Sequence, residues 1–232
     1  MLEVLYEDNH IIAINKQISD IVQGDKTGDE PLSEKVKKYI KEKYSKPGDV
    51  FLGVVHRLDR PVSGVVLFAK TSKALTRLNE LFREKDIQKT YWAVVKNKPT
   101  PESATLIHYL IKNEAQNKSK AFNEVRNGTL RCELSYKLIA SSDTYHLLEV
   151  LPVTGRHHQI RVQLSTMGFP IKGDLKYGFP RSNADGGIHL HARKIEFIHP
   201  IKQEPIEIIA PPPSNDPVWR AFLSMTETAT KK

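Results

Sequence analysis

The segment Gly53-Val54-Val55-His56-Arg57-Leu58-Asp59-Arg60-Pro61-Val62-Ser63-Gly64-Val65-Val66-Leu67-Phe68-Ala69-Lys70 constrains this chain more than any other. Two apolar runs, Gly53 to Leu58 and Val65 to Ala69, flank a charged centre and read as strands. Pro61 removes a backbone donor and Gly64 admits unusual dihedrals, so the centre reads as a loop. In an extended segment alternate side chains share a face, which sends Arg57 and Asp59 one way and His56 and Leu58 the other. An arbitrary Arg-x-Asp is ordinarily a weak surface ion pair. Here the apolar flanks hold the carboxylate near the core, where a neighbouring guanidinium keeps it ionised.

A second polar stretch, Thr154-Gly155-Arg156-His157-His158-Gln159-Ile160-Arg161-Val162-Gln163-Leu164, follows a strand ending at Pro152-Val153. The spacing predicts a Thr-Gly turn and then a helix to about Met167, stopped by Gly168 and Pro170. Arg156, His157 and His158 would form its first turn, where free N–H groups and the helix dipole attract anions. Arg161 lies one turn further on, while Ile160 and Leu164 face the core. Adjacent histidines on a helix point about 100° apart, so His157 and His158 would not share a metal ion.

His56-Arg57-Leu58-Asp59-x-x-x-Ser63-Gly64, followed by an apolar strand ending Ala69-Lys70, resembles the signature of the RluA-type pseudouridine synthases. The second stretch is similar to that family's Gly-Arg-x-His-Gln-Ile-Arg motif. Lys89-Thr90-Tyr91 matches its Lys-x-Tyr pattern. Gly168-x-Pro170-Ile171-x-Gly173-Asp174-x-x-Tyr177, Leu190-His191-Ala192 and His199-Pro200 match further elements, in family order from about Leu2 to Pro212. Two positions depart from the pattern: Gln17 stands where proline is usual, and Val62 where threonine is usual.

The resemblance implies an α+β, pseudouridine synthase-like fold, a mainly antiparallel mixed sheet flanked by helices around a central cleft. It implies a single catalytic domain over residues 1–225 that starts directly at the catalytic region, without the S4-type RNA-binding domain of many relatives. The implied reaction converts uridine to pseudouridine in structured ribosomal or transfer RNA, needs no cofactor and no metal, and involves RNA as partner. Asp59 would be the nucleophile or assist a glycal intermediate. Arg161 would pair with Asp59, and Tyr91 would stack on the uracil and serve as a candidate base. Arg57 would fill the space left by the flipped nucleotide. His56, Arg57, Arg60, Lys89, Arg156 and His158 are the candidates for substrate or RNA contact. The resemblance implies a monomer with no obligate protein partner.

The rest of the chain is consistent with this. Val4-Leu5-Tyr6 and Ile11-Ile12-Ala13-Ile14 read as a hairpin around Asp8-Asn9. Residues 31–44 show a helical stripe, with Lys35, Lys37, Lys38 and Lys41 on a solvated face open to a phosphate-contacting role. Thr71 or Ser72 can cap a helix in which Leu75, Leu78, Leu81 and Phe82 recur at helical spacing and form a core stripe. Residues 90–95, 133–140 and 145–151 read as strands. Residues 99–128 read as a variable loop or short hairpin that could touch RNA, and 226–232 as a disordered tail.

Among 232 residues, 35 are Lys or Arg and 27 Asp or Glu, a net charge of +8 that suits a polyanionic partner. Cys132, the one cysteine, leaves no internal disulfide and fits a reducing cytoplasm. No apolar run reaches membrane-spanning length, and the start is not that of a signal peptide. Two other functions compete. A metal hydrolase would draw on the nine histidines, yet no His-Glu-x-x-His occurs. A non-catalytic RNA-binding module explains the charge and a stacking tyrosine, but in it Asp59 would weaken a phosphate site. Glycoside hydrolysis normally requires two carboxylates, and the motif strands offer one.

Overall fold

A computed structural model describes residues 2–24 and 28–230. In chain order the elements are β1 (Val4–Glu7), β2 (Ile11–Lys16), α1 (Leu32–Lys43), β3 (Gly53–Val54), β4 (Ser63–Ala69), α2 (Ser72–Glu84) and β5 (Gln88–Val95). There follow β6 (Ser103–Asn113), β7 (Lys118–Phe122), β8 (Leu130–Ser141), β9 (His146–Pro152), α3 (Gln159–Thr166), β10 (Leu190–Ile198), β11 (Pro205–Ile209) and α4 (Pro217–Thr230). A 3₁₀ turn covers Leu175–Tyr177. The class is α+β, as the resemblance implies. The chain forms two compact units, each made of two segments: residues 1–88 with 192–211, and residues 89–191 with 212–232. The sequence reading drew no such division within 1–225.

In the first unit, β1, β2 and β4 lie side by side, with β3 also pairing β4 and with β11 pairing β10; these pairings are antiparallel where their register is defined. The Asp8 carboxylate closes the β1–β2 turn by accepting from the His10 and Ile11 amides at 2.8 and 2.9 Å. Leu32, Val36 and Ile40, four residues apart, are the buried stripe of α1. The far end of that helix is tied down by Glu7, which accepts from Tyr39, Lys43, Tyr44 and Lys70 at 2.7 to 3.0 Å. Burial pushes the Glu7 pKa up, but these donors outweigh it and hold it at about 2. Lys35, Lys37 and Lys38 pair with Asp20, Glu34 and Glu30, so that face is a salt-bridged surface. Thr71 caps α2 by accepting from the Ala74 amide at 3.2 Å.

Gly64 is required where it stands. Its φ is +116°, and a Cβ there would lie 2.3 Å from the Ala192 carbonyl oxygen and 2.5 Å from its amide nitrogen. Backbone meets backbone, so no side chain fits between the two strands.

In the second unit the strand order is β5-β9-β8-β6-β7, antiparallel throughout. Helix α4 lays Trp219 and Phe222 on Trp92, Val94 and Leu147. On the opposite sheet face, Val162 of α3 and Tyr177 pack with Leu110 and Cys132. Three sequence expectations differ here. Residues 99–128 hold a hairpin, one of the two readings offered, but its first strand, β6, is eleven residues long and pairs β8 as well as β7. Its alternation is clear once burial is known: Leu106, His108 and Leu110 face in, while Ile107 and Ile111 face out. Helix α3 starts at Gln159, three residues later than the spacing predicts. The expected disordered tail 226–232 is helical through Thr230, because α4 is anchored by Trp219 and Phe222; Lys231 and Lys232 lie outside the described residues.

Candidate functional site

In the first unit Asp59 sits on the loop between β3 and β4. Strand β3 ends at Val54, so the expected strand to Leu58 is cut short and His56 to Asp59 run as loop. The His56 ring explains the loop's course. Its Nε2 accepts from the Leu67 amide at 2.9 Å, standing in for a strand partner, and the ring packs on Phe82 at 4.9 Å. His56, a candidate for RNA contact, is thereby a fixed internal anchor. Arg57 points outward and is exposed, whereas Leu58 is buried. Arg60 pairs with Asp29 at 2.6 Å.

Sequence reasoning missed Lys16. This ammonium, with no solvent exposure, ends β2 and donates to the carbonyls of Gln17, Arg60 and Val62 at 3.0, 3.2 and 2.6 Å. Arg60 and Val62 flank the turn closed by the Val62 amide on the Asp59 carbonyl at 3.0 Å. Lys16 therefore clamps the backbone just beyond Asp59. Burial lowers its pKa to about 8, with Asp20 and Asp59 pulling the other way. The only sequence signal was a charged residue ending an otherwise apolar strand.

In the second unit Tyr91 and Lys89 share one face of β5, half-buried. Burial lowers the Lys89 pKa, and its Nζ lies against the Thr154–Gly155 turn, 3.8 Å from where a Cβ on Gly155 would be. Gln159 shapes that turn. Its side-chain oxygen accepts from the Thr154 hydroxyl at 2.7 Å and the Arg156 amide at 3.0 Å, while its amide group donates to the Glu133 carbonyl at 3.0 Å. Arg156 is exposed on the loop, not in a helical turn.

His158 caps α3 in the left-handed conformation, φ 55°, which turns its ring back onto His157. The two rings stack at 3.7 Å instead of diverging as they would on a helix. The His157 nitrogens meet Ser119 Oγ at 2.8 Å and Asn117 Oδ1 at 3.0 Å; His158 Nδ1 meets the Tyr177 hydroxyl at 2.9 Å. Burial, with the charges of Arg161 and His157 adding to it, pushes the His158 pKa to about 2 and keeps the ring neutral. His158, another candidate for RNA contact, is a buried internal partner.

Arg161 is 5% exposed, and the carboxylate that the second unit supplies to it is Asp174, 1% exposed. Nε and one terminal nitrogen reach the two Asp174 oxygens at 2.7 and 3.0 Å, a bidentate pair, with the guanidinium 5.1 Å from the centre of the Tyr177 ring. Sequence reasoning named only Asp59 as partner. Asp174 and Tyr177 stood in a matched motif without a role. The turn that returns them to α3 depends on Gly173, whose φ is +87° and whose Cβ would collide with Asn183 at 2.5 Å.

The ribosomal large subunit pseudouridine synthase C of Vibrio cholerae is 35% identical over 214 residues, 90% of this chain and 65% of that protein. The chain thus spans about two thirds of the length of the curated relatives it matches first. The tRNA pseudouridine synthase C of the same organism is 29% identical over 242 residues, 97% of this chain and 95% of that protein. The solved human RNA pseudouridylate synthase domain containing 4 has the same fold, with a TM-score of 0.78 at 22% identity, covering 97% of this chain and 93% of that one. The family model described as RNA pseudouridylate synthase matches residues 10–166, a span that includes the Asp59 loop, Tyr91 and Arg161. With more than half of its length under that model, the chain belongs to the RNA pseudouridylate synthase family.

Proposed function

We propose that this protein isomerises uridine to pseudouridine in structured ribosomal or transfer RNA. The observation that carries the reading is the Asp59 loop itself, a half-buried aspartate on a backbone held by a buried lysine and a histidine anchor inside the family's matched span. The target nucleotide leaves the stack before reaction, because the glycosidic bond is inaccessible within a helix. Arg57, exposed beside Asp59 in sequence, takes the vacated space. Asp59 acts on the sugar at C1′. The C1′–N1 bond breaks, the uracil turns over, C5 bonds to C1′, N1 gains a proton and C5 loses one. These bonds are exchanged within one molecule, so the reaction calls for no cofactor. The protein acts on RNA as a cytoplasmic monomer.

Mapping pseudouridines in total RNA from cells with and without the gene tests the reading. Loss of one or more sites supports it, and an unchanged map overturns it. A finer test concerns Tyr91, proposed to stack on the uracil and to take the C5 proton. Removing that proton requires a base within hydrogen-bond reach. Phe keeps the ring and removes the hydroxyl. Tyr91→Phe is therefore expected to bind RNA normally yet release almost no tritium from C5-labelled uridine. Wild-type release would leave the tyrosine a stacking platform only.

A further inference from the structure

The sheet face of the second unit that carries Trp92 and Val94 is covered by α4 at its β5–β9 end. At the β6–β7 end the same face turns outward. Tyr109 of β6 stands opposite Phe122 of β7 on one side and Arg131 of β8 on the other. One step along, Ile111 faces Lys120, and in the other direction Ile107 faces Glu133. The Arg126 guanidinium lies 4.2 Å from the Phe122 ring centre and the Lys120 ammonium 5.2 Å. Ile107 and Ile111 are 45% and 39% exposed, and Val125 beyond Phe122 is 71% exposed. Glu133 binds Arg131 at 2.8 Å.

We propose that this face is a docking platform for an unpaired RNA segment of the substrate, held by stacking on Tyr109 and Phe122 and by phosphate contact with Lys120, Arg126 and Arg131. Cross-strand neighbours on a sheet lie about 5 Å apart, so the two aromatic residues offer adjacent flat surfaces to successive bases. Three cations against one carboxylate match a polyanion. An apolar protein partner would be opposed by the same charges. Aromatic residues on an open antiparallel face, bordered by basic ones, read single-stranded RNA through stacking in other folds. The platform rests on the reading that the protein acts on RNA, and it adds a surface on the sheet face opposite Val162 and Tyr177. It also gives a specific surface to the RNA contact that the sequence left open for residues 99–128.

The test uses the full chain and a fluorescent 20-nucleotide oligouridylate, with a 20-base-pair RNA duplex as comparison. Tyr109→Ala combined with Phe122→Ala is expected to weaken oligouridylate binding at least tenfold and to leave the duplex within about twofold. Phe122 is partly buried, so the exposed pair Lys120→Gln and Arg126→Gln provides a variant that keeps the fold. It is expected to lower the slope of log affinity against log salt by about 1.4, the value for two phosphate contacts on a single strand. Wild-type affinity and slope in that variant overturn the platform. Pseudouridine formation, followed in parallel, separates the two readings. Normal formation with wild-type oligouridylate binding in both variants removes the platform alone. Both binding losses, with no pseudouridine formed even by the wild-type protein, remove the synthase reading and leave the platform.

Discussion

Asp59→Asn is expected to abolish pseudouridine formation while leaving RNA affinity within a few-fold of wild type. The substitution keeps the shape of the side chain and removes its charge and nucleophilic oxygen. Main-chain hydrogen bonds hold the backbone turn that carries it. It is closed by the Val62 amide on the Asp59 carbonyl and held by Lys16 on the carbonyls of Arg60 and Val62. His56 fixes the other side through the Leu67 amide. The Asn variant therefore keeps its fold, and lost turnover reports chemistry. Single-turnover measurement on transcribed ribosomal or transfer RNA checks this, with a binding isotherm alongside. Residual activity above a few per cent of wild type would remove Asp59 from the central role. Persistence of wild-type activity after exhaustive dialysis against chelator would at the same time dispose of the metal hydrolase.

The second large effect is expected at Asp174, a residue to which the sequence assigned no function. Its carboxylate accepts two hydrogen bonds from Arg161, and both side chains are almost completely enclosed. Asp174→Asn removes the compensating charge and turns an amide donor toward a guanidinium that can only donate. Breaking one side of a buried pair costs about 3–5 kcal/mol. For a chain of this length that corresponds to a fall in Tm of roughly 10 °C. Turnover should fall as well, because Arg161 loses the partner that orients it. A double variant, Asp174→Asn with Arg161→Met, separates structure from function. Replacing the arginine as well removes the guanidinium that the new amide donor would face and should restore much of the stability. If Arg161 serves the reaction, the restored protein stays inactive. A thermally stable double variant with wild-type turnover would show that the pair only holds α3 to the following turn.

Local pattern alone determined a good part of this protein. The apolar run Ile11-Ile12-Ala13-Ile14 of β2, the stripes of α1 and α2, a helix cap at Thr71 or Ser72 and the strand over 90–95 follow from spacing between near neighbours. The chemistry-bearing residues were legible for the same reason, since Asp59, Tyr91 and Arg161 sit in short motifs whose residues lie close in the chain. What the sequence could not supply were choices made at a distance. Whether Arg161 met Asp174, thirteen residues further on, depended on how the chain turns back after α3 through Gly173. Whether Lys16 pointed to water or inward depended on the carbonyls of a loop more than forty residues away. His158 stands outside the helix in a left-handed conformation, with its ring on the Tyr177 hydroxyl nineteen residues further on. Strand β6, which runs up to the lysine-rich residues 112–120, went unread because only its inward residues reveal the period, and which side is inward is set by α3 and Tyr177. Periodicity is an interaction between neighbours and is written in the chain. Burial and partner choice are interactions between distant segments, and they come into being only when the turns have closed.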